Sequence, residues 1–220
     1  MLEAIARGSE QLRGEVVLLE GSPGPAFCAG FDLTALDPSS ARAGVSPEAA
    51  LMEATAAMAA ADGTFIALLH GHAVGAGVEL ACACDLRVGT PQTTMRVPAS
   101  RLGVVYHPRG VARMRRVLGE SAVRRMLLLD ETLDAPTLER AGALDRVAAD
   151  ADGLRALGLQ LAGDLVALDA RALQAHRAAL RQDPDPVASS PEERTAWERS
   201  YDALRAEAYA AIADRAGQDP

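Results

Sequence analysis

Residues 64–90, TFIALLHGHAVGAGVELACACDLRVGT, constrain the fold more than any other stretch of the chain. An apolar run over 64–71 is bounded by glycine and reads as a buried strand. Glycines 75 and 77 then turn the chain, and a helix is expected from about 77 to 84. DLRVGT, 85–90, reads as the next strand. Strand, glycine turn, helix, strand in so few residues is the signature of α/β layering with parallel strands. It also places Glu79 directly behind the turn, in the first turn of an otherwise apolar helix.

The same construction recurs upstream. EVVLLEG, 15–21, reads as a buried strand, and SPGPAFCAGFD, 22–32, as a loop rich in turn residues. Leu2, Ile5 and Leu12 lie at helical spacing before it, and 47–62 is an alanine-rich helix. TTMRVP, 93–98, offers a further strand. Beyond residue 110 the pattern is helical over 110–118, 120–130, 135–142, 151–181 and 191–215, with a polar, proline-rich break at 182–193. These segments divide the chain into an α/β core over 1–150 and a C-terminal helical region over 151–220.

Composition narrows the chemistry. All 22 basic residues are arginine, so Schiff-base catalysis and a phosphate-binding P-loop lysine are excluded. A net charge of −8 opposes binding to phosphate backbones, so no nucleic-acid partner is expected. Aromatics are 3% of the chain, leaving alanine, leucine and valine to fill the core. Cys28, Cys82 and Cys84 form no disulfide framework and suit a reducing cytoplasm. No signal-type segment or membrane-length apolar run is present, so no membrane partner is expected. Without HxxxH, CxxC or paired acidic ligands, no metal is expected; without GxGxxG, neither is NAD.

Both glycine-rich loops follow a strand and open toward a helix, where ligands of α/β sheets sit. Backbone N–H groups at such helix starts lack intrahelical partners and can hold an oxyanion. The candidate donors are the N–H groups of Phe31, in AFCAGFD, and Ala76, in HAVGAGVEL. The same glycines also fit two tight turns with no ligand.

PAFCAGFDLTAL, GHAVGAGVELACACDLRVG, VPASRLGVVYHPRGVARMRRVLG and ERAGALDRVA, in that order, resemble four signatures of the crotonase superfamily, the enoyl-CoA hydratase/isomerase group. The resemblance covers about residues 15–150. It implies an α/β spiral of ββα units, with C-terminal helices used for assembly into homotrimers or hexamers. It implies an acyl-CoA thioester substrate, and no cofactor beyond the coenzyme A of that substrate. The thioester oxygen would rest between the Phe31 and Ala76 N–H groups, with Cys28, Ala29, Gly30 and Gly75 shaping the binding loops. Glu79 matches one of two glutamates that hydratases of this group use to move protons.

The chain departs from the pattern in two places. The second glutamate position, twenty residues after Glu79, is Ala99, which puts ordinary hydration and isomerisation in doubt. Tyr106 and His107, in LGVVYHP, follow nearby, and that combination resembles methylmalonyl-CoA decarboxylase-like members. There the tyrosine would orient a substrate carboxylate, and Glu79, Tyr106 or His107 would return the proton. The second departure is at the front. The N-terminal hairpin and the loop that clasps the CoA nucleotide are expected before residue 2 and are not read here, which implies a gene start placed too late, weak CoA binding, or a carrier-tethered acyl substrate. Arg109, Arg113, Arg115 and Arg116 read as a solvated helix face. An oligomeric scaffold without activity is the competing reading.

Overall fold

The computed structural model describes residues 1–32, 46–181 and 210. Helix α1 (Leu2–Gln11) leads into strand β1 (Glu15–Glu20) and the short β2 (Ala26–Cys28). Helix α2 (Pro47–Ala60) is followed by β3 (Gly63–Leu69), β4 (His72–Val74) and α3 (Ala76–Ala83). The third turn runs β5 (Leu86–Gly89), β6 (Thr94–Arg96), α4 (Ala99–Leu102) and α5 (Pro108–Leu129). Then come β7 (Leu133–Asp134), α6 (Ala135–Arg140), β8 (Arg146–Val147), α7 (Ala151–Val166) and α8 (Ala170–Arg181).

Among the described residues the strands form two four-stranded sheets, β1-β3-β5-β8 and β2-β4-β6-β7. The first is parallel throughout; in the second only β7 runs antiparallel. Each of the first three turns of chain adds one strand to each sheet and then a helix, as the expected ββα spiral does, and in the last turn α6 separates β7 from β8. Strand β3 is buried at every residue, and its period of two divides the core. Phe65, Ala67 and Leu69 join the main cluster with Met58, Met95, Met114 and Met126. Ile66 and Leu68 point the other way, onto Leu154, Leu157 and Leu161 of α7. Methionine and alanine fill what aromatics would fill elsewhere.

Several expectations change. The loop over 22–32 contains β2, and β4 lies between the third strand and its helix, because each finds a parallel partner in the second sheet. The helical run over 151–181 breaks into α7 and α8, where Asp169 accepts from the Ala172 N–H at 2.8 Å and starts a new helix. The break between 118 and 120 is present, with Gly119 at φ 78° inside α5. The helix read over 191–215 lies outside the described residues, apart from residue 210.

Helix α8 is fastened to the core by two guanidinium groups. Arg177 Nε and Arg181 Nη2 lie 3.0 and 2.7 Å from the Asp85 carboxylate. Their other nitrogens donate to Ala61 O, Met58 O and Ala59 O, the carbonyls that end α2. Asp85 also accepts from the Phe65 N–H at 2.9 Å, tying the clamp to β3.

Candidate active site

A cleft of about 650 Å³, counting its open mouth, lies where the turns after β2 and β4 meet α2, α3 and α4. Gly30 takes φ 92° and Gly75 φ 55°, left-handed conformations that a side chain resists. A Cβ on Gly30 would stand 2.9 Å from Val74 O and 3.8 Å from Ala76 N, so the two turns touch. Phe31 and Ala76 thus share one wall, with Ala29 beside them. Ala76 opens α3, and its N–H is one of the first-turn donors that a helix leaves without an internal partner. Gly75 N donates to Arg96 O at 2.9 Å, which fixes the turn to β6.

Glu79 lies one turn into α3, with its side chain 8% exposed. Its carboxylate packs on Gly110 of α5, where a Cβ would come within 2.7 Å of the carboxyl carbon. Arg113 Nη1 donates to Glu79 Oε2 at 3.2 Å, and Arg113 Nη2 donates to Thr55 Oγ1 of α2 at 2.9 Å. Burial pushes the Glu79 carboxyl up to about 7; Arg113 opposes the rise and the negative charge of Glu48 adds to it. Desolvation outweighs the ion pair because both partners have been taken from water. Ala99 and Tyr106 also line the cleft, and the Tyr106 hydroxyl stands 3.4 Å from where a Gly75 Cβ would be.

The family profile described as enoyl-CoA hydratase/isomerase matches residues 1–206. The chain belongs to the enoyl-CoA hydratase/isomerase family. Among its relatives in this crotonase superfamily is the probable enoyl-CoA hydratase echA6 of Mycobacterium leprae, 29% identical over 90% of this chain and 77% of the relative. The echA6 protein of Mycobacterium bovis is 32% identical over 69% of this chain and 60% of its own length. A solved enoyl-CoA hydratase/carnithine racemase from Magnetospirillum magneticum superposes with TM-score 0.75 at 28% identity, over 92% of this chain and 78% of that one. Pseudomonas aeruginosa DspI gives the same score at 27% identity, over 92% and 85% of the two chains.

Within this crotonase-fold chain, the structure brings Ala29, Gly30, Phe31, Gly75, Ala76, Glu79, Ala99 and Tyr106 to one cleft. Cys28 sits behind the wall, with its carbonyl and Cβ against Gly77. His107 is not among the lining residues; it caps α5, its Nδ1 accepting from Arg109 N at 3.1 Å. Cys82 and Cys84 are core packing, their thiols pushed up to about 12 by burial. Among the described residues no group of His, Cys, Asp and Glu could hold a metal ion. None of their helices is long and apolar enough to cross a membrane.

Arg113 corrects the reading of a solvated arginine face, since only 15% of its side chain is exposed. Sequence reasoning also passed over Glu48, Leu51 and Thr55 of α2 and Gly110 of α5. The signals were present: Gly110 and Arg113 are three apart on one helix face, and Glu48, Leu51 and Thr55 are spaced i, i+3, i+7 on another.

The proton on Glu79 should be visible in stability. With its carboxyl at about 7 when folded and at its ordinary 4.5 when unfolded, the folded chain retains a proton that the unfolded chain has released between those values. Stability therefore falls as pH rises through that window, by up to about 3 kcal/mol. Compared with wild type, Glu79→Gln should gain in relative stability between about pH 4 and about pH 8. A difference in melting temperature that stays constant over that range would show that Glu79 is not so shifted.

Proposed function

We propose that this chain is a hydratase/isomerase-like enzyme acting on an acyl-CoA, or carrier-bound acyl, thioester through an enolate. The observation that carries this reading is one buried carboxyl, Glu79, lining the same cleft as Phe31 and Ala76, which stand on two touching turns. The thioester oxygen would accept from Phe31 and Ala76, and such paired donors typically contribute several kcal/mol to a developing enolate. Glu79, neither fully ionised nor fully protonated near neutral pH, is suited to exchange a proton at the α-carbon. Gly110 makes room for the carboxylate, and Arg113 restrains its orientation.

Tyr106 supports a second reading. Its hydroxyl lies beside Gly75, and Ala99 brings no carboxylate to the cleft. A malonyl-type thioester could place its carboxylate there and lose CO₂ to the same enolate, a step that needs no base. Incubation with crotonyl-CoA and with methylmalonyl-CoA, followed by product mass, separates the two. Hydration or double-bond migration of the first supports the hydratase/isomerase reading; CO₂ loss from the second with no reaction of the first supports the decarboxylase. Isothermal titration with acetyl-CoA tests the inactive scaffold, which would be favoured by no binding up to millimolar concentration. Assembly into trimers or hexamers is supported by exposed Leu128, Leu129, Leu159 and Val166 on α5 and α7.

A further inference from the structure

Hydration of a double bond needs one group to take a proton from water and another to give one to carbon, and at position 99 the cleft has only a methyl group. A second carboxylate nevertheless lines it, from another element. Glu48 stands in the first turn of α2 and faces the cleft together with Leu51, three residues on. The same helix face continues to Thr55, which accepts the hydrogen bond from Arg113, and Arg113 pairs with Glu79. The face 48-51-55 therefore runs alongside the Glu79 pair, with Glu48 about 10 Å nearer the N-terminal end of the helix than Thr55. That first turn is well anchored: Pro47 begins it, and Ser46 Oγ accepts from Ala49 N at 3.1 Å. The charge of Glu48 is felt at Glu79, where it is one of the influences favouring the protonated form.

We propose that Glu48 is the second acid–base carboxylate of this cleft, supplied by α2 in place of the one that position 99 lacks. The inference rests on the hydratase/isomerase reading above. Glu48 takes a proton from water as the water oxygen bonds to the β-carbon. The π electrons of the double bond move through the α-carbon to the thioester oxygen, held by the Phe31 and Ala76 N–H groups. As the carbonyl re-forms, protonated Glu79 delivers its proton to the α-carbon. The product is a 3-hydroxyacyl thioester carrying the elements of one water; Glu48 ends protonated and Glu79 ionised, and exchange with solvent restores both.

Two measurements on the same protein test this: hydration of crotonyl-CoA, and exchange of the α-protons of butyryl-CoA into deuterium oxide. The second requires Glu79 and the two N–H donors but no water activation. Glu48→Gln should lower hydration by ~10² or more while slowing exchange far less, and Glu48→Asp should recover part of the hydration. Glu79→Gln should lose both. Because Glu48 is only half-buried, Glu48→Gln should melt within a few degrees of wild type. Wild-type hydration by Glu48→Gln would overturn the assignment and leave the function reading standing. Equal losses of hydration and exchange with an unchanged melting temperature would reduce Glu48 to positioning Glu79, and would also overturn it. A wild-type protein that neither hydrates nor exchanges would end the function reading, and this assignment with it.

Discussion

On the acid–base role proposed for Glu79, its replacement by alanine should lower turnover of an acyl thioester by ~10² to ~10⁴, the range expected when a general acid–base group is removed. With the Phe31 and Ala76 N–H groups in their proposed role as thioester-oxygen donors, the loss should fall on kcat more than on KM. The substitution also leaves Arg113, held by Thr55 in a nearly closed site, without its carboxylate partner. An uncompensated buried charge of that kind destabilises, so turnover has to be measured well below the variant's melting temperature. Glu79→Gln separates the two effects, since its amide oxygen can still accept from Arg113 while the proton-transfer group is gone. Turnover within a few-fold of wild type in both variants would remove Glu79 from the mechanism.

Gly77→Ala should be the most damaging single methyl in the site. Helix α3 and strand β2 approach so closely there that a Cβ would collide with the Cys28 carbonyl oxygen and stand 2.8 Å from the Cys28 Cβ. Neither obstacle is the end of a flexible side chain, so relief requires the backbones to separate. Overpacking of this kind typically costs 1–3 kcal/mol, and about 3 kcal/mol is expected for a clash with backbone. The urea midpoint should fall with the slope unchanged, because the same surface is exposed on unfolding. Activity should fall as well, since β2 and α3 carry the turns that present Phe31 and Ala76. A midpoint equal to wild type would mean that the two elements do not meet so tightly.

What the sequence revealed depended on how local the cause was. Strands β1, β3 and β5 and helix α3 were legible because apolar runs end at glycines, and a buried strand followed by a tight turn leaves few other choices. Strands β2 and β4 span three residues each and are held by partners far along the chain, so nothing in their own residues announced them. The break at Gly119 was visible in the pattern; the break before α8 was hidden because no glycine or proline marks it and Asp169 follows Ala167 and Leu168 as an ordinary polar position of a helix would. In the site, Glu79 and the glycines stood out through their spacing. Arg113 did not, because a charged residue on a helix reads as solvent-facing until its partner, thirty-four residues earlier, is placed beside it.

The clamp on helix α8 reaches further than its position suggests. Arg177 and Arg181 grip the last carbonyls of α2, while the opposite end of the same helix forms a wall of the cleft with Glu48 and Leu51. A helix is stiff along its length, so α2 behaves as a beam seated at one end and free to present a working surface at the other. The width of the cleft is thus set in part by residues more than a hundred positions downstream that do not line it.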